Sequence, residues 1–181
     1  MESYPVFETE RLMLRQMTKD DVDFLFTLYT SSEVLRYFGM SPIASKEVAI
    51  SMVENYEKQL EIGGPMRWGI VDKETNSLIG TCGFHGISKP YKRCEIGYDL
   101  SPEYWGKGIM GEALKPVLTY LFSTKEMNRI GATIVPHNKA SSRVVEKLGF
   151  QQEGLLREYI LQDGTMYDAY MYSILKKEWL S

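Results

Sequence analysis

The sequence predicts a mixed α/β fold in a single domain that spans residues 1–181. Short segments with strand-like alternation stand on both sides of longer segments whose apolar residues recur with the helical period. The chain contains no internal repeat, no low-complexity tract and no linker that would divide it. A domain of this length buries about 70% of the surface of its unfolded chain, so it needs neither a disulfide nor a metal to hold a core.

The predicted order of elements is β, α, α, β, β, β, α, β, α, β, β, which gives one mixed sheet with helices on both faces. Strands are predicted over residues 11–16, 66–72, 78–87, 93–100, 130–135, 150–161 and 165–175. Helices are predicted from Thr18, from Ser45, over residues 109–124 and over residues 139–148.

Capping residues and apolar stripes justify the first two helices. Thr18 and Asp21 have the spacing of a capping box, and a helical stripe of apolar residues follows them. Ser45 is a good N-cap for the second helix, and Gly63-Gly64-Pro65 ends it.

Periodicity and turn residues justify the elements of the second half. Apolar residues over 109–124 recur at the spacing of one buried helix face. Gly149 is a typical C-cap for the following helix, with Phe150 placed for the usual apolar contact. The turn Gln162-Asp163-Gly164 predicts a hairpin between the last two strands.

Composition excludes several classes of function. The formal net charge of −3 argues against a nucleic-acid-binding module, which usually carries a basic excess. Two histidines are too few for a three-histidine zinc site, and two cysteines make no disulfide framework. The N-terminal region carries charges where a signal peptide needs an apolar run, and no apolar stretch reaches the length of a membrane span. We therefore expect a cytoplasmic protein without a metal.

The most informative segment is the glycine-rich loop Tyr104-Trp105-Gly106-Lys107-Gly108-Ile109-Met110-Gly111, which lies between a strand and a helix. The first amides of a helix have no partner within the helix, and the helix dipole is positive at that end. Glycines allow an anion to approach the backbone closely. The loop is therefore predicted to bind a phosphate group, although a tight turn without a ligand is the alternative.

Two other binding sites fit the sequence poorly. Gly106, Gly108 and Gly111 match the dinucleotide fingerprint G-x-G-x-x-G, but no acidic residue ends the next strand to bind a ribose. A zinc site built on Cys82 and His85 would need two positions that point to opposite faces of a strand. Neither NAD nor zinc is therefore expected.

Residues 95–108 (EIGYDLSPEYWGKG) resemble the acetyl-CoA-binding motif of the GNAT acetyltransferase superfamily. Residues 136–142 (PHNKASS), which lead into 146–150 (EKLGF), resemble the superfamily's next motif. Residues 8–15 (ETERLMLR) and the closing hairpin are similar to the RimJ/RimL-type branch, and the likeness covers about residues 8–180. Trp105 and Met110 depart from the general pattern, which has a polar residue and a small residue at these positions.

The resemblance implies a GNAT-like fold, with a mostly antiparallel sheet that splays apart where coenzyme A binds. It places the pyrophosphate on the backbone from Gly106 to Gly111, and the pantetheine arm between the strand that ends at Leu100 and the strand 130–135. The backbone at Asp99, Leu100 and Ser101 would hold the thioester carbonyl. The residues expected to bind the cosubstrate are Asp99, Leu100, Ser101, Trp105, Gly106, Lys107, Gly108, Ile109, Met110, Gly111, Asn138 and Ser141.

The resemblance also implies two catalytic residues. Glu95 matches the position of the base in some members of the superfamily, and a surface glutamate is the alternative. Many members use a tyrosine to protonate the thiolate, but Val145 stands at that position here. We therefore expect Ser141 to be the acid, since RimJ/RimL-type relatives have a serine there, with Tyr98 and Ser142 as weaker candidates. His85 either faces the acceptor cleft or packs as a strand histidine.

The implied function is N-acetylation of a primary amine by direct attack on acetyl-CoA in a ternary complex, without a metal. An α-amine with a pKa near 7.8 is partly neutral at pH 7, whereas a lysine with a pKa near 10.4 is almost fully protonated. A protein N-terminus, for example of a ribosomal protein, is the acceptor we expect. A small-molecule amine such as a polyamine or an antibiotic is an alternative, as is a non-catalytic acyl-CoA-binding module. Four aromatic residues either line the acceptor pocket or pack in the core: Tyr29, Tyr37, Phe38 and Trp68.

Overall fold

A computed structural model describes residues 4–180 and places eight strands in one mixed sheet with the order β1-β2-β3-β4-β5-β6-β8-β7. The strands are β1 (Phe7–Glu8), β2 (Leu12–Gln16), β3 (Met66–Asp72), β4 (Ser77–Ser88), β5 (Arg93–Leu100), β6 (Arg129–Ile134), β7 (Gln151–Gln162) and β8 (Thr165–Leu175). The helices are α1 (Val22–Leu28), α2 (Ser32–Leu35), α3 (Lys46–Glu61), α4 (Ile109–Ser123), α5 (Lys139–Lys147) and α6 (Lys176–Trp179).

The middle of the sheet contains a split. Within the described sheet every neighbouring pair of strands is antiparallel except β5 and β6, which are parallel. These two strands pair only from Arg93 to Glu95 and from Arg129 to Gly131. Since β5 continues to Leu100 and β6 to Ile134, the strands separate beyond that point. The predicted splay is therefore present, and it leaves backbone groups of β5 open for a ligand.

Two hydrophobic clusters cover the two faces of the sheet. The larger cluster includes Leu114 and Leu118 of α4 and Val145 of α5. The smaller cluster includes Leu25 of α1 and Val53 of α3. The helices therefore lie on both faces, as the sequence predicts, and the split between β5 and β6 opens between the two helical layers.

Most of the predicted elements are confirmed within one or two residues. The first helix begins with a single 3₁₀ turn at Lys19–Asp21 and becomes α-helical at Val22. The sequence prediction missed β1, α2 and α6, each of which has at most four residues. Residues 1–3 and 181 of the predicted domain lie outside the described residues.

Two predicted turns show why the chain reverses where it does. The amides of Gly149 and Phe150 donate to the carbonyls of Glu146 and Val145 at 3.0 Å, which closes the last turn of α5. Asp163 and Gly164 have φ of 50° and 77°, the left-handed values of a two-residue hairpin turn. In residues 4–180 no helix is both long enough and apolar enough to cross a membrane.

Candidate active site

The glycine-rich loop presents backbone amides at the N-terminus of α4. Gly106 and Gly108 have φ of 74° and 75°, which side chains disfavour, and Gly108 is the N-cap of the helix. The first helical hydrogen bond runs from the Glu112 amide to the Gly108 carbonyl at 3.1 Å. The amides of Ile109, Met110 and Gly111 therefore have no acceptor within the helix. A Cβ atom on Gly106 or Gly111 would meet no atom within 4 Å, so the loop has an open face that an anion can approach.

The helix also explains the unusual residue at position 110. The side chains of Ile109 and Met110 are 6% exposed and pack in the larger core cluster. Met110 therefore turns its large side chain away from the open face, and its amide stays at the helix N-terminus.

A clamp from the start of the chain holds the loop in place. The Glu112 carboxylate accepts hydrogen bonds from Thr9 Oγ1 (2.6 Å), the Arg11 amide (2.9 Å) and Arg11 Nε (2.7 Å). Arg11 Nη1 donates to the Lys107 carbonyl at 3.1 Å. The pKa of Glu112 is lowered by hydrogen bonds from Thr9 and Arg11, which outweigh the opposing effect of its burial. We call Thr9, Arg11 and Glu112 the loop clamp, because they tie the loop to the β1–β2 connection.

Trp105 connects the loop to the end of β5. Its indole Nε1 donates to the Leu100 carbonyl at 2.7 Å. This hydrogen bond explains how a tryptophan takes a position that is polar in the general pattern. Lys107 lies with its Nζ 5.3 Å from the ring centre of Tyr104.

The hydrogen-bond alternation of β5 decides which amides face the split. The Ser101 amide donates to the Ile79 carbonyl at 2.8 Å, so Ser101 is bonded to the β4 side. In an antiparallel pair the neighbouring residue, Leu100, directs its backbone groups away from β4. Of the three residues expected to hold the thioester carbonyl, Leu100 therefore offers its amide to the split. The Ser101 amide is already hydrogen-bonded to the Ile79 carbonyl, and the backbone groups of Asp99 point towards β4.

One cavity of about 1010 Å³ runs along the loop and into the split. Ten of the residues predicted to bind the cosubstrate line it: Asp99, Leu100, Trp105, Gly106, Gly108, Ile109, Met110, Gly111, Asn138 and Ser141. Ser101, Lys107 and Glu95 are not among its lining residues. Six lysines and arginines line it, and four of them stand on α4 and α5: Lys115, Lys139, Arg143 and Lys147. The structure thus brings together most of the predicted binding residues but not the predicted base.

Asn138, Ser141 and Tyr98 form a hydrogen-bonded group on the cavity wall. Asn138 caps α5, because its Oδ1 accepts from the Ser141 amide at 3.2 Å. The Ser141 hydroxyl lies 2.7 Å from Tyr98 Oη, and either group can donate. Burial raises the pKa of Tyr98 to about 12, so its phenol stays protonated at neutral pH. The predicted acid therefore has a proton-bearing neighbour within direct reach.

A buried ionic network lies on the other face of β5. The Asp99 carboxylate accepts from the Thr81 amide (3.0 Å), from Tyr29 Oη (2.9 Å) and from Arg67 Nη2. Arg67 Nε donates to Thr81 Oγ1 at 2.7 Å. The Asp99 side chain is only 1% exposed, so these partners compensate the cost of burying its charge. This network ties the end of β5 to β3 and β4.

Glu95 and His85 share the same face of the sheet as Asp99. They are directly opposite each other in the β4–β5 pairing. Thr133 Oγ1 donates to Glu95 Oε2 at 3.4 Å. Burial lowers the pKa of His85, so the imidazole is neutral at pH 7. The predicted base thus lies on the opposite face of the sheet from Ser141, which bonds Tyr98 of the same strand.

The aromatic residues divide between the two expected roles. Tyr29 and Trp68 are at most 1% exposed and belong to the core. Tyr37 and Phe38 line the cavity. Both cysteines are free and buried, and burial raises the pKa of each thiol to about 12. Among residues 4–180, no group of three His, Cys, Asp or Glu side chains is placed to hold a metal ion.

Sequence reasoning missed the loop clamp and the Arg67 network. The residues of the clamp stand in the segment that resembles the RimJ/RimL-type branch, so the signal was present, but no local pattern assigns them a contact. Arg67 and Asp99 are 32 residues apart and meet only through the register of three strands.

The comparisons with known proteins agree with this geometry. Residues 11–151 match the model of a family described as "Acetyltransferase (GNAT) domain". The chain is 43% identical to the "Uncharacterized N-acetyltransferase YoaA" of Bacillus subtilis (strain 168), over 96% of this chain and 98% of that protein. It is 30% identical to the "[Ribosomal protein uS5]-alanine N-acetyltransferase" of Escherichia coli (strain K12), over 74% of this chain and 68% of that protein.

A solved structure shows the same architecture. The crystal structure of the ribosomal-protein-S5-alanine acetyltransferase from Vibrio fischeri superposes with a TM-score of 0.81 at 26% identity. The likeness covers 97% of this chain and 98% of that chain.

Proposed function

Because the chain belongs to the GNAT acetyltransferase family, we propose that it acetylates the N-terminal α-amino group of a protein, using acetyl-CoA. The observation that carries the proposal is the glycine-rich loop, whose free amides open onto a cavity that continues into the split between β5 and β6. The relative that acts on ribosomal protein uS5 supports an acceptor of this class. We place the reaction in the cytoplasm, a reducing compartment that suits two free cysteines.

The residues present fit the cosubstrate. The amides of Gly106 to Gly111 and the positive end of α4 suit a pyrophosphate. Lys115, Lys139, Arg143 and Lys147 add positive charge to the same cavity. The Leu100 amide suits the thioester carbonyl, whose oxygen becomes negative when the amine attacks.

The carboxylates of the cavity favour an acceptor that needs little help from a base. Four of them line it: Glu10, Glu33, Asp99 and Glu112. Asp99 and Glu112 are held in ion pairs with arginines. An α-amine with a pKa near 7.8 needs less help to lose its proton than a lysine side chain with a pKa near 10.4. An N-terminal amine is therefore the acceptor that this cavity serves best.

In the proposed reaction a named residue carries out each proton transfer. The neutral amine nitrogen bonds to the acyl carbon, and the C–S bond of the thioester breaks. Glu95 takes the proton that the amine nitrogen loses, on the face of the sheet opposite to Ser141. Ser141 gives its hydroxyl proton to the departing sulfur, and Tyr98, at 2.7 Å, restores that proton.

Glu95→Gln tests catalysis against mere binding. The proposal predicts that kcat for an N-terminal peptide falls by about tenfold to a hundredfold, while calorimetry shows unchanged affinity for acetyl-CoA. Glu61→Gln, at the exposed end of α3, is the matched control and keeps full activity. If the wild type binds acetyl-CoA but acetylates no peptide or small amine, the chain is a binding module and the proposal is wrong.

A further inference from the structure

We infer that a small slot at Gly97, bounded by Arg67, His85 and Glu95, takes the first residue of the acceptor and selects an α-amino group next to a carbonyl. We call it the Gly97 slot. The inference rests on the proposed function, and it identifies the part of the acceptor that the protein recognises.

The slot exists because Gly97 has no side chain. A Cβ atom at this position would lie 3.5 Å from the His85 ring and 3.6 Å from Arg67 Nη1. These are ordinary contact distances, so the space holds at least one methyl group without a clash. Gly97 stands on β5 between Glu95 and Asp99, on the face opposite to α4.

Arg67 brings unused hydrogen-bond donors to this space. Its Nε and Nη2 are occupied by Thr81 and Asp99. Within residues 4–180, the hydrogen bonds of Arg67 engage Nε and Nη2 but not Nη1, and the side chain is 15% exposed. The N–H donors of Nη1 are therefore available to an oxygen atom of a ligand.

The Gly97 slot adjoins the cavity that the glycine-rich loop lines. The Arg67 guanidinium carbon lies 5.6 Å from the ring centre of Phe38, and Phe38 lines the cavity. Asp99, which binds Arg67, lines it as well. An acceptor that enters beside Phe38 therefore meets Arg67 before it reaches the split.

The opposite side of the slot suits an amine. Glu95 and His85 lie across from each other on adjacent strands. Glu95 contributes a carboxyl group, and the neutral imidazole of His85 adds no positive charge that would repel an amine. The slot thus offers donors at one end and a carboxylate at the other.

This pairing of groups matches a peptide N-terminus and not a polyamine. The first residue of a peptide carries a carbonyl oxygen two bonds from the carbon that bears the amine, and that oxygen can accept from Arg67 Nη1. A protonated polyamine has only N–H donors and leaves Nη1 without a partner. A small first side chain fits the slot, whereas a bulky one meets His85 and Arg67.

The wild type tests the selectivity directly with three acceptors. These are a peptide that begins with Ala, the same peptide beginning with Trp, and spermidine. We expect kcat/KM for the Ala peptide to exceed both others by about tenfold or more, since each lost hydrogen bond or clash weakens binding. An equal or higher value for spermidine or for the Trp peptide overturns the inference.

Gly97→Ala tests the slot itself, and Gly154→Ala is the matched control. A Cβ at Gly154, on β7, meets no atom within 4 Å. We expect Gly97→Ala to raise KM for the Ala peptide about tenfold or more while the melting temperature and the calorimetric affinity for acetyl-CoA stay the same. Gly154→Ala changes none of these.

The two possible failures are distinct. If the wild type acetylates the Ala peptide and Gly97→Ala leaves its KM unchanged, the slot is wrong and the proposed function stands. If the wild type acetylates no peptide N-terminus, the proposed function is wrong, and the inference about the slot is then wrong as well.

Discussion

Gly108→Ala perturbs the backbone that shapes the loop and little else. Gly108 has φ of 75°, and a Cβ there would meet only Arg11 Nη2, at 3.9 Å. The new methyl group therefore causes no steric clash, and the cost is that of a left-handed backbone, about 1–2 kcal/mol. The folded protein either bears this strain or moves the loop to relieve it.

Each response has a calculable size. If the strain remains, the melting temperature falls by about 2–8 °C, given 2–4 °C per kcal/mol for a chain of this length. If the loop moves, recovering the binding conformation raises the Kd of acetyl-CoA by about 5-fold to 30-fold. The two free-energy losses together amount to about 1–2 kcal/mol.

Thermal melting and calorimetry with acetyl-CoA measure both losses. Gly63→Ala is the matched control, because Gly63 also has a left-handed φ (63°) with open space around it and does not line the cosubstrate cavity. That change carries the same backbone cost of about 1–2 kcal/mol, with affinity for acetyl-CoA retained. If Gly108→Ala alters neither melting temperature nor affinity, the left-handed loop has no role in binding and the reasoning fails.

Four further substitutions test other parts of the structure. Ser141→Ala and Tyr98→Phe should each lower kcat by about tenfold or more. Because the two hydroxyls act together, the fold-loss of kcat in the double variant should be smaller than the product of the two single fold-losses. A fold-loss equal to that product would show that the two hydroxyls act separately. Glu112→Gln should lower the melting temperature by several degrees, because Arg11 donors worth about 1–3 kcal/mol lose their charged acceptor, and an unchanged melt would contradict the loop clamp. Arg129 and Ser173 lower the pKa of Glu153 to about 2, from an ordinary value near 4.5. This depressed pKa means that the ion pair stabilises fully above about pH 4.5 and is lost as pH falls towards 2. Glu153→Gln should therefore cost roughly 0.2–1 kcal/mol at pH 7 and much less near pH 2, where half of the carboxylates are protonated. Urea unfolding at the two pH values will show this, and an equal cost at both would refute the assignment.

The sequence predicted the long elements because each carries several periods of its own pattern. Helix α4 and strands β4 and β5 lie where periodicity and turn residues put them. Strand β1 and helices α2 and α6 have two to four residues, too few to show a period. Contacts made by distant residues stabilise such short elements, so local sequence does not reveal them.

The site divides in the same way. The glycine-rich loop was predictable because it is a local arrangement of backbone groups. The loop clamp was not predictable, since Arg11 and Glu112 are 101 residues apart in the sequence and meet only in the folded protein. The resemblance supplied Glu95 and Ser141, but their positions on opposite faces of the sheet follow only from the folded structure, in which Glu95 pairs with His85 and Ser141 bonds Tyr98.

The central claim is acetyl transfer to an N-terminal α-amine, and one measurement tests it most directly. The purified protein is incubated with acetyl-CoA and a peptide that begins with Ala and contains one internal lysine, and tandem mass spectrometry locates the acetyl group. We predict that the acetyl group is found on the α-nitrogen of the first residue. An acetyl group on the lysine side chain, or none at all while acetyl-CoA binds, would contradict the account.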